Sequence, residues 1–406
     1  MKTAQGHLTY CTNIHAGESW GDHFAALKQH LPEIKKAVCP DKSFGVGLRL
    51  SNVASIELEK EEKLEEFQGW LQVHDCYVFT MNGFPYGGFH HEVVKDGVHA
   101  PDWTTGDRVV YTIRLARILA ALLPQGMEGG ISTSPLSYRH WHPTDAEKQL
   151  AFERATDNLL EVVKSLVQLK EQTGKVIHID LEPEPDGLLE CGAEFLEWYW
   201  QYLLPRGGCF LMEQFRCSKT EAERMLREHV QLCYDICHFA IEYENHEAIV
   251  QQLQQQGIRI GKIQISAALK AALNGDAQER AAVIDAFRQF NEPVYLHQLV
   301  ARTKDGALKR YADLPDALKE AGDSSVCEWR AHYHVPLFVE GFGVLKATRA
   351  DIEEVLGLQQ RKPFTAHLEI ETYTWEVLPE ELKLPLQQSI SRELDWVLQT
   401  LNRSNH

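Results

Sequence analysis

The sequence has no Cys-x-x-Cys pair: its nine cysteines, at 11, 39, 76, 191, 209, 217, 233, 237 and 327, stand apart and are odd in number. That pattern excludes zinc-finger modules and a secreted disulfide scaffold, and it predicts reduced thiols in a cytoplasmic protein. The opening residues, Met1-Lys2-Thr3-Ala4-Gln5-Gly6, lack the apolar core of a secretory signal. Long apolar runs are missing too. The best stretch, 113–123, is broken by Arg114 and Arg117, so no membrane insertion is expected. Basic residues are scarce: 41 Lys and Arg face 58 Asp and Glu, a net charge of −17. Nucleic-acid backbones demand a basic face, so nucleic acid is not an expected partner. Walker, GxSxG and HExxH spacings do not occur, and Phe44-Gly-Val-Gly-Leu-Arg-Leu50 lacks the third glycine of a dinucleotide loop.

What is present is 406 residues with 44% hydrophobic and 24% charged side chains, ample for one large core. Strand-like runs at 8–13, 44–50, 76–82, 130–134, 175–182, 232–238, 258–266, 329–336 and 365–371 alternate with helical patterns at 20–37, 57–73, 107–123, 144–173, 220–228 and 351–358. Such alternation predicts a parallel α/β fold, and its eightfold repetition favours a closed (β/α)8 TIM barrel over an open sheet. Nine runs compete for eight places, so either 258–266 or 329–336 stands outside the wall. The barrel is expected over 1–375, with insertions near 82–107, 183–219 and 295–318, the last a hairpin turning at Lys304-Asp305-Gly306. A C-terminal extension, 376–406, carries a helix at about 386–401 packed on the barrel.

Strand tips at the C-terminal mouth of such a barrel carry the chemistry, and ionisable groups on apolar strands are costly without a partner. In Lys175-Val-Ile-His-Ile-Asp-Leu-Glu182, alternation puts His178, Asp180 and Glu182 on one face with Glu182 at the tip. Asp235 closes another run with His238 three residues on, a spacing that suits one metal ligand and one substrate contact. His367, Glu369 and Glu371 alternate in the last run, again with a Glu at the tip. His332 and His334 share a face of the 329–336 run, and Lys262-Ile-Gln-Ile-Ser266 offers Gln264 instead; one of these runs is expected to supply a fourth ligand. The loop Asn82-Gly-Phe-Pro-Tyr-Gly-Gly-Phe-His-His91 reads as a lid or pocket wall.

The order of these tips resembles the xylose-isomerase-like barrels of the sugar isomerase and epimerase superfamily. Several phrases look like EboE, a metabolite-traffic family of that superfamily: Asn82-Gly-Phe-Pro-Tyr-Gly, Gly130-Ile-Ser-Thr-Ser-Pro, Leu181-Glu-Pro-Glu-Pro, Lys262-Ile-Gln-Ile-Ser, His332-Tyr-His-Val-Pro-Leu-Phe and His367-Leu-Glu-Ile-Glu-Thr-Tyr-Thr-Trp. The resemblance implies a divalent metal (Mn, Zn, Co or Mg) held by Glu182, Asp235 and Glu371, with His334, His332 or Gln264 completing the set. It also implies His238 against a substrate hydroxyl, and Glu182 and Glu371 as the proton-transferring pair of an isomerase or epimerase. The expected ligand is a small polyhydroxylated or carbonyl metabolite in a biosynthetic or traffic pathway, with homo-oligomers or pathway partners as further possibilities. The alternative is a non-catalytic metabolite carrier with a degenerate isomerase site.

Overall fold

Eight short runs, each buried along nearly its whole length, pair side by side and all in parallel: β1 (His7–Tyr10), β2 (Phe44–Arg49), β3 (Cys76–Asn82), β4 (Gly129–Thr133), β5 (Ile177–Leu181), β6 (Val230–Asp235), β7 (Ile260–Ile265) and, far along the chain, a strand at His367–Ile370. The computed structural model describes residues 1–88, 94–373 and 385–403. Cys11 bridges Gly47 in parallel, and Thr9 Oγ1 accepts from Gly47 N at 3.0 Å, which joins the two ends of the sheet into a ring. The fold is a (β/α)8 barrel.

The helices between the strands start where their sequences dictate. Ser19 with Asp22, Thr144 with Glu147, Ser218 with Glu221 and Asp276 with Glu279 each form a reciprocal capping box. The pattern at 57–73 is split in two, Asn52–Leu58 and Glu61–Val73. Among the described residues no helix is long and apolar enough to cross a membrane. None of the nine cysteines is in a disulfide.

The ninth run is not a wall strand. Between β7 and the final barrel strand the chain folds a separate six-stranded sheet: β8 (Leu269–Ala272), β9 (Leu299–Thr303), β10 (Leu308–Tyr311), β11 (Val326–Ala331), β12 (Gly341–Phe342) and β13 (Leu345–Ala347), every pair antiparallel. The barrel strand at His367–Ile370 is thus β14. The run at 329–336 belongs to this insertion because β11 finds its partners in β8 and β9, and its burial is mixed, as suits an antiparallel strand with one covered face. Trp329 packs edge-on against Phe287 of the helix Ala277–Gln289.

The barrel interior below the mouth is polar. Lys262 Nζ reaches Glu369 Oε2 at 2.6 Å, both fully buried, and His178 Nδ1 reaches Asp180 Oδ1 at 2.6 Å. Two glycines make the room: a Cβ at Gly47 would collide with the Glu369 carboxylate, and one at Gly261 with that of Asp180. His367 stacks on His178 with ring centroids 5.4 Å apart.

The C-terminal helix, Leu386–Asn402, packs against the first helix, Trp20–Val38, and buries Leu394, Val397 and Leu401. Its Glu393 turns inward, where Oε1 accepts from Leu337 N (3.1 Å) and Thr372 Oγ1 (2.8 Å). Burial pushes this carboxyl up to about 8 from 4.5. The unfolded chain therefore loses the proton first as pH rises. The stability this group contributes is full below about 4.5, declines as pH rises from 4.5 to 8, and is lost beyond. Glu393→Gln keeps the acceptor and has nothing to ionise. Its stability gain over wild type in urea unfolding is expected to grow from pH 4.5 to 8; a gain independent of pH would refute the assignment.

Candidate metal centre

Glu182 follows the last residue of β5, Asp235 ends β6, and Glu371 follows β14, so three sectors of the barrel, with β7 between the last two, deliver a carboxylate to the C-terminal mouth. The three offer oxygens that all lie within 4.8 Å of one another, each residue almost wholly buried. The other ionisable groups of the same strands do not reach the mouth. His178, Asp180, His367 and Glu369 sit in the lower layers with partners of their own. Of each alternating run, only the tip residue enters the site.

Each carboxylate is held differently. Glu371 is braced on both oxygens: Asn13 and Asn82 donate to Oε1 at 2.7 and 2.8 Å, and Gln264 donates to Oε2 at 2.7 Å. The Gln264 oxygen in turn accepts from Cys233 Sγ at 2.7 Å. Both ends of the Gln264 amide, expected as one alternative for a fourth ligand, are engaged by protein partners, and its nitrogen braces Glu371. Asp235 Oδ1 accepts from Ser266 Oγ (2.6 Å) and from His238 N (3.2 Å), capping the short helix Ile236–Ile241 on which His238 rides. Among the described residues Asp235 Oδ2 and Glu182 Oε2 accept no hydrogen bond although buried. Burial pushes the Glu182 and Glu371 carboxyls well above the usual range, and the neighbouring carboxylates push further, Glu371 and Asp235 on Glu182, Asp235 and Glu369 on Glu371. Three carboxylates crowded into a buried site with two oxygens unsatisfied fit a cation: the donor set is hard, anionic and already desolvated.

Histidines from the insertion complete the mouth. Leaving β11, His332 N donates to Gln298 O (2.8 Å) and Val335 N to Ala267 O (3.0 Å), which folds His332 and His334 back over the barrel. His332 Nε2 lies 3.2 Å from His238 Nε2 and 3.1 Å from His334 Nε2. His334 groups with Asp235 and His238, donor atoms within 4.8 Å. The Nε2 of His238 thus faces another imidazole, and the residue lines the pocket. Burial, with His238 and His334 beside it, holds His332 well below the usual range, and burial lowers His334 to about 4.

Above these groups opens a pocket with about 580 Å³ of empty space, part of it open to solvent. Its floor is Glu182, Glu371, His238, His332 and His334, and its walls include Phe84, Pro85, Val98, Tyr295, Leu296 and Tyr373. The insertions meet here: Val94 N donates to Val294 O at 2.9 Å, and Lys95 Nζ pairs with Asp313 at 2.7 Å. Phe89, His90 and His91 of the wall loop, and Thr374 and Trp375 after β14, lie outside the described residues. Sequence reasoning missed Asn13 and Gln298, gave no role to Glu184, and placed Asn82 only in a lid or pocket wall. Asn13 and Asn82 were open to the rule that found the carboxylates, since both are polar residues at the outer end of a wall strand.

No protein-family model and no curated protein matches the chain. Among solved structures it is similar in fold to an IOLI protein with a binding zinc atom (11% identity, 97% of this chain and 98% of that one, TM-score 0.45). It is also similar to a xylose isomerase-like TIM barrel protein from Mycobacterium smegmatis in complex with magnesium (11%, 99% and 98%, TM-score 0.48) and to the probable 3-DHS dehydratase AsbF from Bacillus anthracis (12%, 98% and 100%, TM-score 0.46).

Proposed function

We propose that the chain is a metal-dependent isomerase or epimerase of the xylose-isomerase-like kind, acting on a small polyhydroxylated or carbonyl metabolite. One observation carries this reading: Glu182, Asp235 and Glu371 converge within 4.8 Å, and Glu182 and Glu371 line the pocket above them. These three carboxylates would hold a divalent cation, which when bound supplies Lewis-acid polarisation of a substrate oxygen. The asymmetry of their surroundings separates the roles of the two glutamates. Glu371, fixed by three amide donors, is a rigid group placed against one face of the substrate. Glu182, with Oε2 unengaged, is the group positioned to take a proton from a carbon beside a carbonyl, and Glu371 returns one at the adjacent carbon. The apolar wall excludes water from this exchange and selects a substrate with one polar end. The phrases around 82–87, 181–185 and 332–338 support placing the chain in the EboE metabolite-traffic family.

The test is hydrogen exchange in D2O with a panel of aldoses, ketoses and 2-hydroxycarbonyl compounds at saturating Mn2+. Wild type is expected to wash deuterium into the position beside the carbonyl, and Glu182→Gln to slow this about 100-fold or more. A compound bound tightly with neither exchange nor product would make the protein a metabolite carrier and end the isomerase reading.

A further inference from the structure

The pocket above the carboxylates changes character from floor to rim. We propose that its substrate is amphiphilic: a hydroxylated or carbonyl head that meets the polar floor, joined to a hydrocarbon group, alkyl or aryl, that covers the apolar rim.

The rim comes mainly from the two insertions. Phe84, Pro85 and Val98 belong to the segment after β3, Tyr295 and Leu296 to the turn before β9, and Tyr373 follows β14. Both segments are fixed from behind. Asn82 Oδ1 accepts from Phe84 N at 3.0 Å while the Asn82 amide nitrogen braces Glu371 at 2.8 Å, so one side chain sets the rim against the floor. Arg108, fully buried, donates to Phe84 O at 2.9 Å and to Gly83 O at 2.7 Å. Across the pocket, Glu292 accepts from Val294 N (2.7 Å) and Tyr295 N (2.9 Å), which closes the turn that presents Tyr295 and Leu296. The two segments meet where Val94 N and Lys95 N donate to Val294 O at 2.9 and 3.3 Å. A surface held in this way is shaped before anything binds, so covering it costs little ordering.

Two simpler roles do not account for this rim. A packed core would be sealed, whereas Val98, Leu296 and Tyr373 are only half-buried and border a space partly open to solvent. A cover that only kept water from the reacting atoms would close over them as well. Apolar side chains left wet at the lip of a polar site mark a place where an apolar ligand removes them from water. The rim calls for no charged tail, because Lys95, the cation that borders it, is paired with Asp313 at 2.7 Å. A sugar hydroxylated on every carbon would satisfy the floor and leave the rim wet.

The inference rests on the proposed function for the head of the substrate alone, and the test separates the two. The full chain at saturating Mn2+ is titrated calorimetrically with hydroxyacetone, with its homologues carrying ethyl, butyl and hexyl tails, and with phenacyl alcohol. Deuterium exchange beside the carbonyl is followed in parallel. Wild-type affinity is expected to rise about fourfold for each methylene that the rim covers. Whichever of the hexyl and phenacyl compounds binds more tightly identifies the tail as alkyl or aryl. Leu296→Ser combined with Val98→Ser should flatten the series, with thermal unfolding checking that the variant is folded. Val344→Ser, at the exposed turn between β12 and β13, should keep it steep. Equal affinity along the wild-type series, no binding by any member, a series still steep in the rim variant, or one flattened equally by Val344→Ser would overturn the amphiphilic substrate. Exchange on hydroxyacetone with a flat series would leave the isomerase reading standing without this one. A steep series with no exchange at any tail length would keep the amphiphilic ligand and end the isomerase reading.

Discussion

Replacing Lys262 with methionine is expected to destabilise the fold by about 3–5 kcal/mol, the cost of leaving a buried charge without its partner. Glu369 Oε2 accepts from Lys262 at 2.6 Å, and Glu369 Oε1 has no hydrogen-bond donor among the described residues, so the ammonium is what makes this carboxylate tolerable at the centre of the barrel. Burial alone would lower the Lys262 ammonium, and Glu369, followed by the thiols of Cys233 and Cys11, reverses the shift and raises it. Removing both charges should be far cheaper than removing one. Lys262→Met with Glu369→Leu should recover most of the loss, because a well-packed apolar pair commonly matches a buried ion pair. Urea midpoints for the two single variants and the double variant give the coupling directly. A loss under about 1 kcal/mol in Lys262→Met would show that the pair is not ionised in the folded protein.

Asp235→Asn is expected to weaken metal binding by more than the 10- to 100-fold typical of a lost outer-shell partner, with little change in stability. The two oxygens of Asp235 do different work: Oδ1 caps a helix and accepts from Ser266, and Oδ2 faces the donor clusters. Asparagine keeps the capping oxygen and replaces the other with an amide nitrogen, which has no lone pair for a cation. Asp235→Ala removes both and should add the roughly 1 kcal/mol of a lost cap. Isothermal titration with Mn2+ and with Zn2+, set beside thermal unfolding without metal, separates the two effects. Unchanged affinity in Asp235→Asn would reduce Asp235 to a helix cap.

The wall and its polar tips were legible in the sequence because they are local. Alternation over five to seven residues marks a strand, and a Glu or Asp where it ends marks a mouth. The pairing partner of a strand is not local, and for that reason 329–336 read like any other wall strand although β11 pairs with β8 and β9. The same blindness blurred the depth of each side chain. His178, Asp180 and Glu182 are equivalent on paper, and only the glycines opposite them, Gly130 and Gly261, reveal that Asp180 is spent inside the barrel. Gln264 was read by residue type, as a weak ligand; its partners, Glu371 and Cys233, come from β14 and β6 and are invisible without the register. Asn13 was passed over, and Asn82 was read only as the start of a pocket-wall loop, because the carboxylate both amides hold comes from a strand far along the chain.

The inserted sheet also sets an order of assembly. β7 and β14 are neighbours in the wall, yet Ile265 and His367 are separated by the entire antiparallel excursion. Joining two ends across such a loop carries a large closure entropy, whereas the hairpin of β9 and β10 meets within a few residues. The excursion therefore shortens itself first, and its own collapse brings β14 within reach of β7. The seams on either side of β14, with β7 and with β1, are therefore expected to close last, bringing the histidines to the mouth with them.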